Sequence, residues 1–298
     1  MLMVVKMMNI DKKQFDVLKL LENQKAQRKI AEETKYSLGT VNKILKELSI
    51  LNLITDSVMN ENGRKILEQY RVRRAVFLAA GFGERLVPIT LNTPKPLIRV
   101  NGKRIIDGLI DACLAVGIEE IYIVRGYLAE EFDQLLYKYP MVKFLENPLF
   151  NETNNISSSM CARHLLSNSY VFEADLIINP KIIQKYHYTS NFLAIKKERT
   201  DDWCFEVDKD NYITKEKFGG FNCYQMVGIS YWNKEDGERL KEDIKTVYEM
   251  PGGKERYWEQ VPLMDFKYKV QVIECNEEDA IEIDTLKELR AIDKSYEM

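Results

Sequence analysis

Histidine, paired cysteines and long apolar runs are all scarce in this sequence of 298 residues. With only His164 and His187, there is little room for a Ser-His-Asp triad or a histidine-rich metal site. The five cysteines lie far apart without a CxxC pair, which argues against a disulfide framework and a zinc knuckle. No apolar run approaches the roughly 18 residues of a membrane helix, and the amino-terminal segment is too short for a secretory signal. We therefore expect a cytoplasmic protein without membrane insertion.

Length and composition are those of an ordinary globular protein. Hydrophobic residues make up 45% of the sequence and charged residues 30%, as in soluble folded domains. At roughly 100 to 200 residues per domain, the length suggests two domains. The net charge is +6 over residues 1–74 and −9 over residues 75–298, so the two parts of the chain are expected to have different functions. With Arg71–Arg74 as the junction, we predict domains at 1–72 and 73–298.

The first domain is predicted to be small and mainly helical. Apolar spacing and capping residues predict helices at 12–22 and 27–34, a third helix capped by Ser37, a strand at 53–55 and a closing helix at 63–70. In the third helix, the predicted buried stripe consists of Val41, Ile44, Leu45 and Leu48. This order of elements, with the stretch QRKIAEETKYSLGTVNKILKELSILNLI, resembles the bacterial winged helix-turn-helix family.

That resemblance covers residues 10–70 and implies DNA as a partner of this region. The third helix would lie in a major groove, with Thr40, Asn42 and Lys43 directed toward bases or phosphates. A net charge of +6 is modest for a DNA reader. The alternative is therefore a module for homodimerisation or ligand sensing.

The second domain shows the pattern of an α/β fold. The apolar run Ala75–Ala79 enters the glycine loop Gly81–Gly83, as a buried parallel strand would. Helices are predicted at 105–116 and 129–138, and a hairpin at 204–215 as an antiparallel extension of the sheet. Further strands are predicted at 121–124, 142–145, 170–173, 192–195, 226–231 and 268–274. Alternating strands and helices imply a sheet covered on both faces.

The glycine loop belongs to a longer motif. Leu86 stands where a dinucleotide fingerprint needs its third small residue, and no GxxxxGK[ST] occurs. The segment Leu78–Val100 instead resembles LAAGxGxRLxPxTxxxPKPLxxV, the opening motif of nucleotidyltransferases of the sugar-nucleotide pyrophosphorylase type. The resemblance implies a Rossmann-like mixed sheet (GT-A-like) that binds a nucleoside triphosphate. Its nucleotide contacts would come from Ala79, Ala80, Gly81, Phe82 and Gly83, because glycines let backbone N–H groups approach phosphates closely.

Charged residues of the motif point to catalysis at a phosphate. Arg85 would add a guanidinium fork and Lys95 a fixed point charge, and both are predicted to be catalytic. The family's reaction also needs a divalent cation, so we predict Mg²⁺ as cofactor. The metal pair implied by the resemblance is Asp175 and Asp284, with Asp175 at the carboxyl end of a predicted strand. For Asp284 the alternative is an ordinary helix N-cap.

Outside the motif, the sequence departs from the sugar-specific members. Asn151–Ser159 replaces their second glycine-rich stretch. Together with Gly126-Tyr127, an EAD and a late EID, it makes residues 74–293 resemble bacterial CTP:phosphocholine cytidylyltransferases. The resemblance implies further nucleotide contacts at Tyr127, Asn154, Asn155 and Ser158. For Asn154, Asn155 and Ser158, the alternative is helix capping.

A quaternary ammonium cannot donate a hydrogen bond, so a selective pocket must offer aromatic faces. The resemblance assigns this role to Trp203, Tyr257 and Trp258. The predicted substrates are thus CTP and phosphocholine. Alternative acceptors are another phosphorylated amine, a phosphonate such as aminoethylphosphonate, or a sugar 1-phosphate. A further alternative is a DNA-binding regulator whose transferase-like domain only senses a ligand.

Overall fold

The computed structural model describes residues 9–297, which divide into two compact units. The first unit runs up to Arg71 and also contains Tyr186–Tyr188. The second unit consists of Val72–Lys185 and the chain from Thr189 onward. The three residues 186–188 therefore pack with the first unit, although the sequence analysis assigns them to 73–298.

The first unit is built from four helices and a short hairpin. Its elements are α1 Lys12–Leu21, α2 Gln27–Thr34, α3 Leu38–Ile50, β1 Ile54–Thr55, β2 Val58–Met59, α4 Glu61–Leu67 and a 3₁₀ turn Glu68–Tyr70. The side chains of Asp11, Ser37 and Asn60 accept hydrogen bonds from backbone N–H groups of the first turns, which fixes where α1, α3 and α4 begin. Because Asn60 caps α4, that helix begins two residues before the predicted Gly63.

An apolar core holds this unit together. Val41, Ile44, Leu45 and Leu48 of α3 are buried in it, as the periodicity predicts. Tyr186 packs in the same core, and its hydroxyl donates to a Glu22 carboxylate oxygen at 2.8 Å. Nothing in the local sequence around Tyr186 indicates this contact, since it joins residues 164 positions apart.

The second unit contains a mixed sheet of seven strands. In spatial order these are β12 Gln271–Cys275, β10 Asn191–Val207, β11 Ile213–Trp232, β8 Ser169–Glu173, β3 Arg74–Leu78, β6 Glu120–Arg125 and β7 Lys143–Glu146. The strands β8, β3, β6 and β7 are parallel, whereas β11 is antiparallel to both of its neighbours. Two small antiparallel ladders complete the strands: β4 Arg99–Val100 with β5 Lys103–Arg104, and β9 Leu176–Ile178 with β13 Ala280–Glu282. The predicted α/β class is confirmed.

Helices and short 3₁₀ turns join these strands. The α-helices are α5 Ile105–Ala115, α6 Ile156–Ala162, α7 Lys234–Glu249 and α8 Leu286–Ile292. The 3₁₀ segments are Glu84–Leu86, Ile89–Leu91, Lys95–Leu97, Ala129–Tyr137, Arg163–Leu165, Pro180–Ile182, Gly253–Glu255, Trp258–Phe266, Glu277–Asp279 and Lys294–Tyr296. The predicted helix at 129–138 is thus a run of 3₁₀ turns. Among residues 9–297, no helix has the length and apolar character needed to span a membrane.

Strand pairing decides where the functional loops meet. In the parallel pair β3 and β8, Leu78 lies opposite Glu173 at the carboxyl ends. The loops that follow the two strands therefore leave the sheet side by side, at the edge where open α/β sheets bind ligands. The long β10–β11 hairpin borders the same edge through the pairing of β11 with β8.

Candidate active site

The loop after β3 is shaped by glycine. Gly83 has a φ of +71°, and a Cβ there would lie 3.2 Å from a Thr90 methyl carbon and 3.3 Å from the Lys95 Cβ. The Thr90 hydroxyl donates to the Gly83 carbonyl at 3.0 Å, which holds the turn in place. A larger residue at position 83 would be strained and would displace Lys95.

Lys95 bridges the two predicted metal ligands. Its Nζ lies 2.6 Å from an Asp175 oxygen and 2.7 Å from an Asp284 oxygen, and its side chain is only 12% exposed. Burial alone would lower the pKa of Lys95, but the two carboxylates outweigh burial and raise it. Arg85 Nη2 lies 2.8 Å from the same Asp284 oxygen. The structure thus brings all four residues together.

Two further carboxylates join this cluster. Oxygens of Glu173, Asp175 and Glu282 lie within 4.8 Å of one another. Burial, followed by the neighbouring carboxylates, raises the pKa of Glu173, and the same causes raise the pKa of Glu282 to about 8. Glu173 and Asp175 lie two residues apart at the end of an extended segment, as do Glu282 and Asp284. This spacing, visible in the sequence, places each pair on one face.

The donor set fits a hard divalent cation. Asp175 Oδ1 is buried and accepts no hydrogen bond from residues 9–297, so it is free to act as a ligand. Magnesium prefers carboxylate oxygens and tolerates few substitutes. The helix-cap alternative for Asp284 is wrong, because Thr285 is the N-cap of α8 and its side chain accepts from the Glu288 N–H.

The first pocket is bordered by the glycine loop and has a volume of about 290 Å³. It is lined by nine of the predicted site residues: Ala79, Ala80, Gly81, Gly83, Lys95, Asn154, Asn155, Ser158 and Asp175. Phe82 and Tyr127 do not line this pocket. Their rings pack edge to face with centroids 4.5 Å apart, and the Tyr127 hydroxyl donates to the Thr90 carbonyl at 2.9 Å. These contacts support the loop, and direct contact of Phe82 or Tyr127 with the nucleotide stays a prediction.

Asn155 connects this pocket with a distant segment of the chain. It occupies the N-cap position of α6, yet its side chain makes no capping hydrogen bond. Its Oδ1 instead accepts a hydrogen bond from the backbone N–H of Trp258 at 2.8 Å, and its Nδ2 donates to a carboxylate oxygen of Glu259 at 3.1 Å. Asn154 contacts the same region, since its N–H donates to the Lys254 carbonyl at 2.8 Å. Helix capping therefore does not explain Asn155.

A second pocket, of about 600 Å³, shares Glu173 and Asp175 with the first. Three aromatic side chains line it. The Trp203 ring lies 6.1 Å from the Tyr257 ring and 5.6 Å from the Phe218 ring, measured between centroids, and each pair meets edge to face. Phe218 enters the group through its pairing with Trp203 across the β10–β11 hairpin, which sequence reasoning did not anticipate.

Trp258 lies elsewhere. It is 2% exposed and packs in the apolar core, with its ring 6.1 Å from that of Trp232. The prediction that Trp258 contacts the acceptor is therefore wrong. Tyr257 is extended and precedes the 3₁₀ segment that begins at Trp258, and of the two residues Tyr257 lines the pocket.

The second pocket is strongly acidic. Eight carboxylates line it, against the single guanidinium of Arg85: Glu173, Asp175, Asp201, Asp202, Glu216, Glu259, Glu282 and Asp284. Burial raises the pKa of Glu216 to about 7 and that of Glu259 to about 7. An organic cation bound in this pocket would favour the ionised form of these carboxyl groups over the protonated form. Sequence reasoning missed Glu216 and Glu259 because no motif marks them.

The mixed sheet, with a glycine loop and a lysine among carboxylates at the carboxyl ends of its parallel strands, defines an α/β domain with a candidate ligand site at that edge. The nucleotidyl transferase family model matches residues 74–219. Two curated relatives extend this match. The chain is 35% identical over 229 residues to 2-aminoethylphosphonate cytidylyltransferase of Lancefieldella rimae, covering 74% of this chain and 92% of that protein. It is 31% identical over 224 residues to choline-phosphate cytidylyltransferase of Streptococcus pneumoniae, covering 74% of this chain and 97% of that protein.

A solved structure also matches this chain. The structure of CTP:phosphocholine cytidylyltransferase from Streptococcus pneumoniae matches with a TM-score of 0.70 and 29% identity, over 76% of this chain and 99% of that one. The chain belongs to the nucleotidyl transferase family. The predicted nucleotidyltransferase fold of the second unit is thereby confirmed. Several of its relatives are cytidylyltransferases.

Proposed function

We propose that the protein transfers CMP from CTP to phosphocholine, giving CDP-choline and pyrophosphate. The observation that carries this proposal is the acidic, ring-lined second pocket, which adjoins the glycine-loop pocket through Glu173 and Asp175. One pocket suits a triphosphate, and the other suits a cation. A molecule with a phosphate at one end and an ammonium at the other would present its phosphate oxygen where the two pockets meet.

The reaction is an in-line displacement. An oxygen of the acceptor phosphate attacks the α-phosphorus of CTP, and the bond from that phosphorus to the bridging oxygen of pyrophosphate breaks. Lys95 and Arg85 hold the phosphate oxygens and offset the charge that develops on them. Asp175 and Asp284, with Glu173 or Glu282, would hold Mg²⁺, which would supply further charge neutralisation. No proton transfer is needed if the acceptor phosphate is a dianion.

The aromatic group favours a quaternary ammonium. Trp203, Phe218 and Tyr257 present ring faces and edges to the pocket, and each cation–π contact contributes about 0.5–2 kcal/mol. The second candidate acceptor is 2-aminoethylphosphonate, which the carboxylates of Glu216 and Glu259 favour because a primary ammonium can donate hydrogen bonds to them. The 35% identity to a 2-aminoethylphosphonate cytidylyltransferase supports the same alternative.

A substrate panel tests the proposal. Purified protein with CTP and Mg²⁺ is given phosphocholine, phosphoethanolamine, 2-aminoethylphosphonate and glucose 1-phosphate, and pyrophosphate release is measured. We expect phosphocholine to have the highest kcat/KM. A higher value for 2-aminoethylphosphonate would replace phosphocholine as the substrate, and activity only with the sugar phosphate would contradict recognition of a cation.

For residues 10–70, the proposal is a winged helix-turn-helix module that binds DNA through α3. The observation in its favour is that Asn42, Lys43 and Lys46 are exposed together on the face of α3 opposite its buried stripe. Fluorescence anisotropy with duplex DNA, at 50 and 200 mM salt, tests it. We expect binding that weakens with salt and is lost on joint replacement of Lys43 and Lys46 by Ala. If the protein binds no duplex and sediments as a dimer, homodimerisation is the better role.

A further inference from the structure

A buried carboxylate of the second pocket lacks a compensating cation. Glu259 is 2% exposed and lines this pocket. Among the described residues that line the pocket, the one cation is Arg85, which is paired with Asp284. Burial raises the pKa of Glu259, and the neighbouring carboxylate of Glu216 raises it further. An ionised carboxylate that is buried without a cation is unfavourable, so a positively charged ligand would complete this wall of the pocket.

The side chain of Asn155 holds this carboxylate. Asn155 Nδ2 lies 3.1 Å from one carboxylate oxygen of Glu259 and 3.4 Å from the other. Asn155 lines the first pocket and Glu259 lines the second, so this contact joins the walls of the two pockets. A carboxylate has about four lone-pair sites. The contact with Asn155 therefore leaves lone pairs of Glu259 available to a ligand in the second pocket.

The amide of Asn155 is itself fixed by the backbone. Its Oδ1 accepts a hydrogen bond from the backbone N–H of Trp258 at 2.8 Å. Trp258 begins a 3₁₀ segment, and the first N–H groups of a helical segment have no partner within it. Because a backbone N–H can only donate, this bond decides that the oxygen of the amide faces Trp258 and that Nδ2 faces Glu259. The backbone thus orients Asn155, and Asn155 in turn orients the Glu259 carboxylate.

An oriented carboxylate acts differently on the two kinds of ammonium group. A primary ammonium donates hydrogen bonds, which weaken steeply when the donor and the acceptor are poorly aligned. A quaternary ammonium has no N–H, and it is attracted by charge and by the rings of Trp203 and Tyr257, which line the same pocket. Loss of the orientation of Glu259 should therefore weaken the binding of a primary ammonium more than that of a quaternary one.

We propose that Asn155 is a positioning residue that directs the Glu259 carboxylate into the second pocket, where it accepts hydrogen bonds from a primary ammonium of the acceptor. Asn155 thereby sets how well the protein binds acceptors with a primary ammonium relative to those with a quaternary one. The inference rests on the proposed binding of a phosphorylated amine in this pocket. It gives Asn155 a role at the acceptor, separate from the nucleotide contact that the resemblance implies.

Phosphoethanolamine and phosphocholine are a matched pair of ligands for the test, because they differ only in whether the nitrogen carries three hydrogens or three methyl groups. Their dissociation constants are measured by calorimetry on the full chain, so that the test does not depend on turnover. For Asn155→Ala we expect the affinity for phosphoethanolamine to fall by about fivefold to tenfold, as for the loss of one hydrogen bond, and that for phosphocholine to fall by less than about twofold. Asn154→Ala is the control. It should keep the parent's ratio of the two affinities, because Asn154 Nδ2 donates to the Glu255 carbonyl and not to a carboxylate of the pocket.

A double-mutant cycle shows whether Asn155 acts through Glu259. Glu259→Gln keeps the volume of the side chain and removes its charge, so it should weaken the binding of phosphoethanolamine by itself. Adding Asn155→Ala to Glu259→Gln should then cause little further loss, whereas independent effects would multiply. Thermal unfolding checks that each variant is folded. If Asn155→Ala is not, Asn155→Ser takes its place, because serine suits the N-cap position of α6 and is too short to bridge Trp258 and Glu259.

Four outcomes would overturn the inference: an equal loss of both affinities in Asn155→Ala, an unchanged affinity for phosphoethanolamine, losses that multiply in the double variant, or a parent protein that does not bind phosphoethanolamine. A parent that shows the expected binding, with the expected changes in the variants, but transfers CMP to no acceptor would contradict the proposed function alone. A parent that binds neither ligand would contradict both.

Discussion

Replacing Lys95 by alanine removes the cation that neutralises the carboxylate cluster. Lys95 lies 2.6 Å from Asp175 and 2.7 Å from Asp284, and its side chain is 12% exposed. Removing one partner of a buried ion pair costs roughly 3–5 kcal/mol, and because this site is partly open to water we expect about 2–3 kcal/mol. For a unit of this size, that lowers Tm by about 4–12 °C.

The same substitution should change how the protein responds to a divalent cation. In the parent, Lys95 already occupies the space between Asp175 and Asp284, so Mg²⁺ without nucleotide should raise Tm little. In Lys95→Ala the carboxylates repel one another, and Mg²⁺ should restore much of the lost stability. Turnover should still fall by ~10²-fold or more, because Mg²⁺ does not replace a positioned lysine at the phosphates.

Differential scanning fluorimetry with and without Mg²⁺, together with a pyrophosphate assay, measures both effects. Lys197→Ala is the matched control, since Lys197 also forms a 2.6 Å ion pair, with Glu277, outside both pockets. Its Tm should not depend on Mg²⁺, and its turnover should stay normal. The reasoning fails if Lys95→Ala is folded and nearly fully active, or if Mg²⁺ shifts its Tm no more than that of the control.

Four further outcomes follow from the geometry. Asp175→Asn should abolish Mg²⁺-dependent pyrophosphate release, because it removes an anionic ligand from the metal; a normal rate at ordinary Mg²⁺ concentration would refute that assignment. Trp203→Ala should raise the KM for phosphocholine by about five- to thirtyfold with the KM for CTP unchanged, and Phe should rescue part of the loss where Leu does not. Trp258→Ala should lower the free energy of unfolding by about 3–5 kcal/mol, as measured by chemical denaturation. A variant with unchanged stability and only a raised KM for the acceptor would show instead that Trp258 binds the acceptor. Burial raises the pKa values of Glu216 and Glu259 to about 7, so both carboxyl groups are protonated below that pH and anionic above it. The KM for the acceptor should therefore rise as the pH falls from 8 to 6, and Glu259→Gln should weaken this pH dependence.

Local sequence determined the elements and the nucleotide end of the site. The glycine loop, Arg85 and Lys95 are recognisable because they belong to one continuous motif, Leu78–Val100, and the turn at Gly83 requires a glycine. Their ion pairs with Asp175 and Asp284 come only from the fold. The apolar stripe of α3 and the hairpin around 204–215 are equally local, since periodicity and turn residues define them. These parts could be predicted because each is decided by a short stretch of chain.

The second pocket was decided only by tertiary structure. Trp203, Phe218 and Tyr257 meet because a hairpin and the distant segment before a 3₁₀ turn converge. The next residue, Trp258, packs in the core instead. Gly228, with a φ of +77°, lets the Glu173 carboxylate lie against β11, where a Cβ at position 228 would clash with it.

Asn147 shows the same limit. Its Oδ1 accepts from the Leu149 N–H two residues further along, which is a local bond, but the bond from its Nδ2 to the Ser158 hydroxyl exists only once α6 packs against the end of β7. Residue types and spacing determine which chemistry is available to this chain. The direction of a hydrogen bond, the burial that raises a pKa and the choice between core and pocket depend on neighbours that only the folded chain brings within reach.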